Sequence, residues 1–196
     1  PEKTVLDICS RRNLSEVKGV SFLKDGVLVS TSERELLDLA EVPIPAFHLL
    51  NFKLYFHEIL GRNLSLFEIN RGCHFRCAFC NKVMYGDGVR SKSLEQIQLE
   101  IEKAVECYGV KTGCFIDLDF LAKRETAIRL CEFLMRKRYK FTWTCSTRAD
   151  LLDRDILSAM KDAGCRLIKM GVESGNENQL NTVNKSLNLK VINSAF

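Results

Sequence analysis

Residues 141–175 read FTWTCSTRADLLDRDILSAMKDAGCRLIKMGVESG, and they hold one full unit of the pattern that organises the chain. Phe141, Trp143 and Cys145 alternate with polar residues, the period of a half-buried strand. Asp153 is a helix-capping residue set ahead of Ile156, Met160 and Ala163, which recur at helical spacing until Gly164. Leu167–Val172 is a second apolar run, followed by Glu173-Ser174-Gly175. Two strands separated by a helix form a crossover, which lays the strands parallel.

The pattern repeats upstream. A helix over 122–138 carries Ala127, Leu130, Cys131 and Leu134 on one face, and its basic end Arg136-Lys137-Arg138 complements the helix dipole. Cys114-Phe115-Ile116 is a strand ending in Asp117-Leu118-Asp119. Ser93-Leu94-Glu95-Gln96 has the spacing of a capping box, and Leu94, Ile97, Ile101, Val105 and Tyr108 continue the helix to Gly109. Leu64–Asn70 (LSLFEIN) opens the series as its first strand. The later strands start about 25–30 residues apart, which predicts an α/β fold with a parallel sheet. Polar groups follow each strand: Cys73–Cys80, Asp117 and Asp119, Ser146–Arg148, and Glu173–Gly175. In parallel α/β folds those carboxy-terminal strand ends face one crevice, where ligands bind.

The first third is organised differently. Asp25-Gly26 lies between two β-rich runs within 19–31, which predicts a hairpin with a type I′ turn. Residues 3–18 read as a short helix and a connection, and Pro43 and Pro45 make 42–46 a linker. His48 and His57, alone in an apolar-aromatic stretch, read as packing residues. The chain opens on Pro1 and stops at Phe196 inside an unfinished pattern, so it is expected to be an internal piece of a longer protein.

Composition narrows the class. The 196 residues are 46% hydrophobic and 28% charged, with three prolines and eleven glycines, values of a globular protein rather than a disordered or fibrous one. No apolar run approaches the roughly 18 residues that span a bilayer. A net charge of +4, with no concentrated basic face, gives no indication of nucleic acid.

Nine cysteines stand at 9, 73, 77, 80, 107, 114, 131, 145 and 165. The odd count and the length argue against a secreted disulfide scaffold. Six sit singly in apolar segments and read as small buried hydrophobes of a reducing cytoplasm. The other three share one loop, Cys73-His-Phe-Arg-Cys77-Ala-Phe-Cys80. Zinc favours four closed ligands, and neither a second Cys-x-x-Cys nor a well-placed histidine supplies a fourth. A 4Fe–4S cluster is normally held by four cysteines, so three leave one iron open to a small molecule.

The Cys-x-x-x-Cys-x-x-Cys motif, with Phe79 before its last cysteine, resembles the radical S-adenosylmethionine (radical SAM) superfamily. Arg71-Gly72, Tyr85…Arg90-Ser91, Asp117-Leu118-Asp119, Thr147-Arg148-Ala149-Asp150, Ala163-Gly164-Cys165 and Gly171-Val172-Glu173-Ser174-Gly175 resemble its cobalamin-associated branch. So do the hairpin at Gly19-Val20 and Val42-Pro43-Ile44-Pro45-Ala46. The resemblance implies a partial parallel (β/α) barrel, cut after about four βα units. Residues 1–62 would be the tail of an upstream cobalamin-binding domain plus a linker, and 63–196 a radical SAM core domain that ends early.

By the same resemblance, Cys73, Cys77 and Cys80 would hold a 4Fe–4S cluster and S-adenosylmethionine would chelate its open iron. Reductive cleavage would give a 5′-deoxyadenosyl radical that abstracts substrate hydrogen. Phe79 would pack by the cluster or adenine. Asp117 and Asp119 stand where the family's glycine-rich sequence meets the methionyl amine. Ser146 and Arg148 would follow the third strand, Arg148 facing the methionyl carboxylate unless it forms a surface salt bridge with Asp150. Glu173 would accept from ribose hydroxyls. The implied enzyme is a cytoplasmic transferase moving a methyl or other alkyl group to an unreactive carbon, with cobalamin bound mainly by a domain outside this chain. Its partners would be a small-molecule or peptide substrate and an electron donor such as flavodoxin or ferredoxin. The rivals are a cobalamin-independent radical SAM enzyme (methylthiotransferase, oxidase or cyclase) and a non-catalytic iron–sulfur or zinc module.

Overall fold

The structure is a computed structural model that describes residues 1–10, 13–82, 85–86 and 88–196. It has two compact units, Pro1–Val42 and Pro43–Phe196. The division falls at the start of the proline-bearing linker, ahead of the 62/63 boundary drawn from sequence.

In the first unit, helix α1 (Glu2–Ser10) carries an Asp7–Arg34 ion pair. Strands β1 (Ser21–Lys24) and β2 (Val27–Ser30) form the expected antiparallel hairpin. Asp25 and Gly26 have φ of 51° and 78°, the left-handed pair that a type I′ turn requires. Among the described residues of this unit, Val17 and Leu39 are buried.

The second unit starts with two 3₁₀ turns, Phe47–Leu49 and Phe52–Leu54, and a two-residue ladder between β3 (Phe56–His57) and β4 (Gly61–Arg62). Strand β5 (Leu64–Phe67) follows. The Leu64–Asn70 run does not continue as one strand. Its end, β6 (Asn70–Cys73), leaves the sheet and pairs antiparallel with β7 (Gly88–Ser91). The cause is Asp117, whose carboxylate takes the Ile69 and Asn70 N–H groups at 3.1 and 2.5 Å.

Helix α2 (Leu94–Glu102) starts on the Ser93 hydroxyl, which accepts from Gln96 N at 3.1 Å, and ends in a π-helical turn over Lys103–Cys107. Strand β8 (Thr112–Phe115) precedes α3 (Arg124–Lys137). That helix starts later than the sequence suggests, because Asp119 caps a 3₁₀ turn at Phe120–Lys123. Strand β9 (Thr142–Thr147), helix α4 (Arg154–Asp162), capped by Asp153, and strand β10 (Cys165–Met170) complete the series. Two short helices, α5 (Glu177–Thr182) and α6 (Leu189–Ser194), end the chain.

The sheet order is β10-β9-β8-β5 and every pairing is parallel. Register sets Phe67, Phe115, Cys145 and Ile168 side by side across one face. On that face Phe115 and Trp143 meet edge-on at 5.3 Å, and Phe120 lies 5.1 Å from Trp143. Trp143 is fully buried, and its indole N–H donates to Ala163 O at 2.9 Å. The residues between point the other way. Thr112 and Thr144 on this second face are buried, but Leu66 and Ile116, nearer the carboxy-terminal strand ends, are 55% and 51% exposed, so the face is open there.

Two readings of isolated residues need correction. Cys131, Cys145 and Cys165 are buried as expected, but Cys9 and Cys107 are exposed. His48 is exposed, and half-buried His57 closes a turn, its Nδ1 accepting from Ile59 N at 3.2 Å. Among the described residues no helix is long and apolar enough to cross a membrane.

Candidate functional site

The cysteine loop is closed at its neck by the β6–β7 ladder, which pairs Asn70 with Ser91, Gly72 with Val89, and Cys73 with Gly88. Gly72 has φ of 99°, and a Cβ there would lie 2.1 Å from Gly88 O, so only glycine fits. Beneath the neck Lys92 and Glu100 form a 2.7 Å ion pair with both side chains 4% exposed. Burial raises the Glu100 carboxyl, and Lys92 opposes that shift. Asn70 accepts from the Ser91 hydroxyl at 2.5 Å, while its buried Nδ2 has no partner among the described residues.

Inside the loop Cys73 and Cys77 are half-buried and Cys80 is exposed. Lys82 turns back to donate to Cys73 O at 3.2 Å and Phe75 O at 2.5 Å. Across the site, Val183 O accepts from Ala78 N at 2.9 Å and Asn184 Nδ2 donates to Arg76 O at 2.8 Å. The Phe75 ring lies under the Arg148 guanidinium at 3.6 Å, a close cation–π contact. Phe79 is exposed. The glycine-bearing loop expected over 71–90 also includes Val83, Met84 and Asp87, which lie outside the described residues. Among the described residues no three His, Cys, Asp or Glu side chains gather round a single-ion site. A four-iron cluster spreads its thiolates over different irons and does not require that.

The strand ends supply the other groups. Asp117, after β8, is buried, and its oxygens face the Ile69 and Asn70 amides. Burial outweighs those donors and pushes its carboxyl up to about 7. Asp119 Oδ1 accepts from Leu121 N at 3.2 Å and the Thr147 hydroxyl at 2.8 Å. Its Oδ2 is buried and unpartnered among the described residues. Burial raises the Asp119 carboxyl, while Thr147, Leu121 N–H and Arg148 lower it. Burial, and to a smaller extent the Asp119 charge, raises the Cys73 thiol, against the Phe75 amide and Lys82.

Arg148 does pair with Asp150, through Nε and Nη2 at 2.9 and 3.0 Å, with the arginine buried and Asp150 exposed at the surface. Its Nη1 is buried without a partner among the described residues. Ser146 is half-buried in β9, beside Lys169. Glu173 follows β10 in a left-handed conformation, φ 67°, and its Oε1 accepts from Lys185 Nζ at 3.0 Å. The cysteine loop, Asp119, Arg148 and Glu173 are therefore joined through Phe75, Thr147, Asn184 and Lys185. Sequence reasoning missed those four and Lys82. All four meet partners distant along the chain and carry no local signal of those contacts, whereas Lys82 lies two residues past Cys80.

A buried donor and a buried acceptor left unpaired beside a pinned loop call for an explanation, and a ligand with both an anionic and a cationic group would satisfy each. A cavity of about 400 Å³, lined by Tyr139, Thr142, Gly164 and Arg166 among others, lies at the opposite, amino-terminal strand ends. It is remote from the cysteine loop, and the chemistry outweighs the hollow.

Residues 67–194 match the Radical SAM superfamily. An uncharacterised methyltransferase of Pyrococcus horikoshii is 28% identical over 188 residues, covering 94% of this chain and 40% of that protein. The anaerobic magnesium-protoporphyrin IX monomethyl ester cyclase of Cereibacter sphaeroides is 29% identical over 174 residues, 87% of this chain and 28% of the cyclase. Among solved structures, the apo form of the cobalamin-dependent S-adenosylmethionine radical enzyme OxsB superposes with a TM-score of 0.71 at 24% identity, over 97% of this chain and 29% of that one. The chain thus spans between 28% and 40% of the length of these proteins, and its parallel sheet is one part of a larger fold.

Proposed function

Because the chain belongs to the radical SAM superfamily, we propose that it binds a 4Fe–4S cluster at Cys73, Cys77 and Cys80 and S-adenosylmethionine beside it, to act on an unactivated carbon. The observation that carries this reading is the cysteine loop itself. It sits past the end of the first parallel strand, is clamped at neck and middle, and has the unpaired Arg148 Nη1 and Asp119 Oδ2 in its surroundings. Three thiols and no fourth suit a cluster that keeps one iron for an exchangeable ligand.

When bound, such a cluster supplies an electron at that open iron, the step from which this family derives carbon-centred radicals. The residues of this chain bind and orient. Arg148 Nη1 is the donor for the methionyl carboxylate, since Asp150 occupies the other side of its guanidinium. Asp119 Oδ2 is the acceptor for the methionyl amine, held by Thr147 and Leu121 N–H. Glu173 accepts from the vicinal ribose hydroxyls, Phe79 supplies an exposed ring for the cluster or adenine, and Ser146 offers a hydroxyl on the open face. Asp117 is committed to the backbone of 69–70 and serves the site by shaping the loop's departure from the sheet.

The finer reading is cobalamin-dependent methyl or alkyl transfer, with cobalamin held by another part of the protein, a reductant such as flavodoxin or ferredoxin, and a small-molecule or peptide substrate. The methyltransferase relative and the cobalamin-dependent enzyme OxsB, whose fold the chain shares, support it. The cyclase relative, of equal similarity, supports ring formation as a second reading. The test is anaerobic reconstitution of the full-length protein with iron, sulfide, S-adenosylmethionine and cobalamin, with products read by mass spectrometry. Replacing Cys73, Cys77 or Cys80 by Ala should abolish cluster assembly, whereas Cys107→Ala and Cys131→Ala should leave iron content intact. Stoichiometric zinc without iron after anaerobic purification would sink the proposal.

A further inference from the structure

Three consecutive residues make contacts that the assignments above do not explain. Val183 O and Asn184 Nδ2 hold Ala78 N and Arg76 O, in the middle of the cysteine loop. Lys185 Nζ holds Glu173 Oε1, at the end of β10, and stands 5.7 Å from the centre of the Phe79 ring. One short segment therefore grips both the loop and the carboxylate.

The grip is built in rather than casual. Lys185 is 7% exposed against 39% for the Glu173 side chain, so the lysine, not the glutamate, anchors the pair. A Cβ at Gly171 would fall 2.6 Å from Glu173 Oε1 and 2.9 Å from Lys185 Nζ, so the pair is seated against bare backbone. Glu173, Asn184 and Ser186 all have left-handed backbones, with φ of 67°, 52° and 53°. Conformations of that kind persist in non-glycine residues when the surroundings hold them, and they gather at functional sites. Ser186 O is in turn an acceptor for Arg148 Nη2 at 3.4 Å.

We propose that Val183–Lys185 is a clasp that couples the cysteine loop to Glu173, with Lys185 the positioning residue for its carboxylate. The inference rests on the reading of the cysteines and Glu173 given above. Fixing Oε1 removes rotational freedom from the carboxylate before any ligand arrives, so a vicinal diol pays less ordering entropy on binding. Because the same segment holds Arg76 and Ala78, whatever orders the loop also orders Glu173. Cluster occupancy and nucleoside affinity are thereby linked, and the linkage is reciprocal.

The test uses the full-length protein, reconstituted anaerobically with iron and sulfide. Iron per chain, thermal midpoint and calorimetric affinity for S-adenosylmethionine without reductant are measured for the parent, E173Q, K185M, K185R, N184G and E173Q/K185M. K185M should keep its iron but bind about five- to tenfold more weakly, within the usual range of such couplings. K185R should recover most of that loss. The double variant should bind no more weakly than E173Q alone, since the two residues act as one unit. N184G, which keeps the left-handed backbone but drops the bond to Arg76 O, should release iron to a chelator faster and bind more weakly, and it carries the test should K185M not fold. Parental affinity in K185M or N184G, with E173Q weakened, overturns the clasp alone, as does additivity of E173Q and K185M. Parental affinity in E173Q removes Glu173 from the proposed cofactor site, and the clasp with it.

Discussion

At the scale of single residues, Asp117 shows how a group placed in a candidate site by sequence can serve the backbone instead. Its carboxyl, pushed up to about 7 by burial, holds a proton in the folded chain that the unfolded chain sheds above about pH 4. Stability should therefore fall as pH rises from 4 to 7 and level off above. Replacing Asp117 by Asn removes that slope, so the stability of the variant relative to the parent should rise across the window by on the order of 4 kcal/mol. Denaturant titrations at several pH values check this, and a difference independent of pH would show that the carboxyl is ionised throughout. Legibility at this scale was uneven. The three cysteines and the caps at Ser93 and Asp153 are local patterns and could be read directly. The roles of Asp117, Asn184 and Lys185 depend on partners 12 to 108 positions away, a separation no periodicity encodes.

At the scale of elements, strands and helices were legible because apolar spacing and caps agreed with one another, and the parallel order followed from crossover length. The β6–β7 neck was not. Its residues looked like the tail of one strand and a polar loop, and only the Asp117 carboxylate, arriving from the end of β8, turns the chain out of the sheet there. Gly72 is the element's weak point. Gly72→Ala forces a left-handed alanine and drives its Cβ into Gly88 O, costing about 1–3 kcal/mol for each fault. The expected outcome is a protein whose sheet signal by circular dichroism survives while iron incorporation falls sharply. Normal iron content in Gly72→Ala would show that the neck does not organise the cysteine loop.

At the scale of the whole Pro43–Phe196 unit, alternation along the strands separates two jobs. Phe67, Phe115 and Trp143 lie on the helix-covered face, and the polar groups collect at the carboxy-terminal strand ends. Trp143→Ala should lower stability by about 3–5 kcal/mol. Well below its lowered midpoint, the variant's iron content and affinity for S-adenosylmethionine should match the parent's, measured by iron assay and calorimetry. A loss of affinity at full iron content would mean that the aromatic layer sets the geometry of the strand ends. The separation bears on how such a chain can diverge. Substitutions past the strand ends leave the aromatic layer untouched, so a descendant can exchange its chemistry in small mutational steps without crossing an unfolded intermediate. The exceptions are residues such as Asp119 and Arg148, whose side chains tie one strand end to another, and at these positions a lineage has the least freedom to drift.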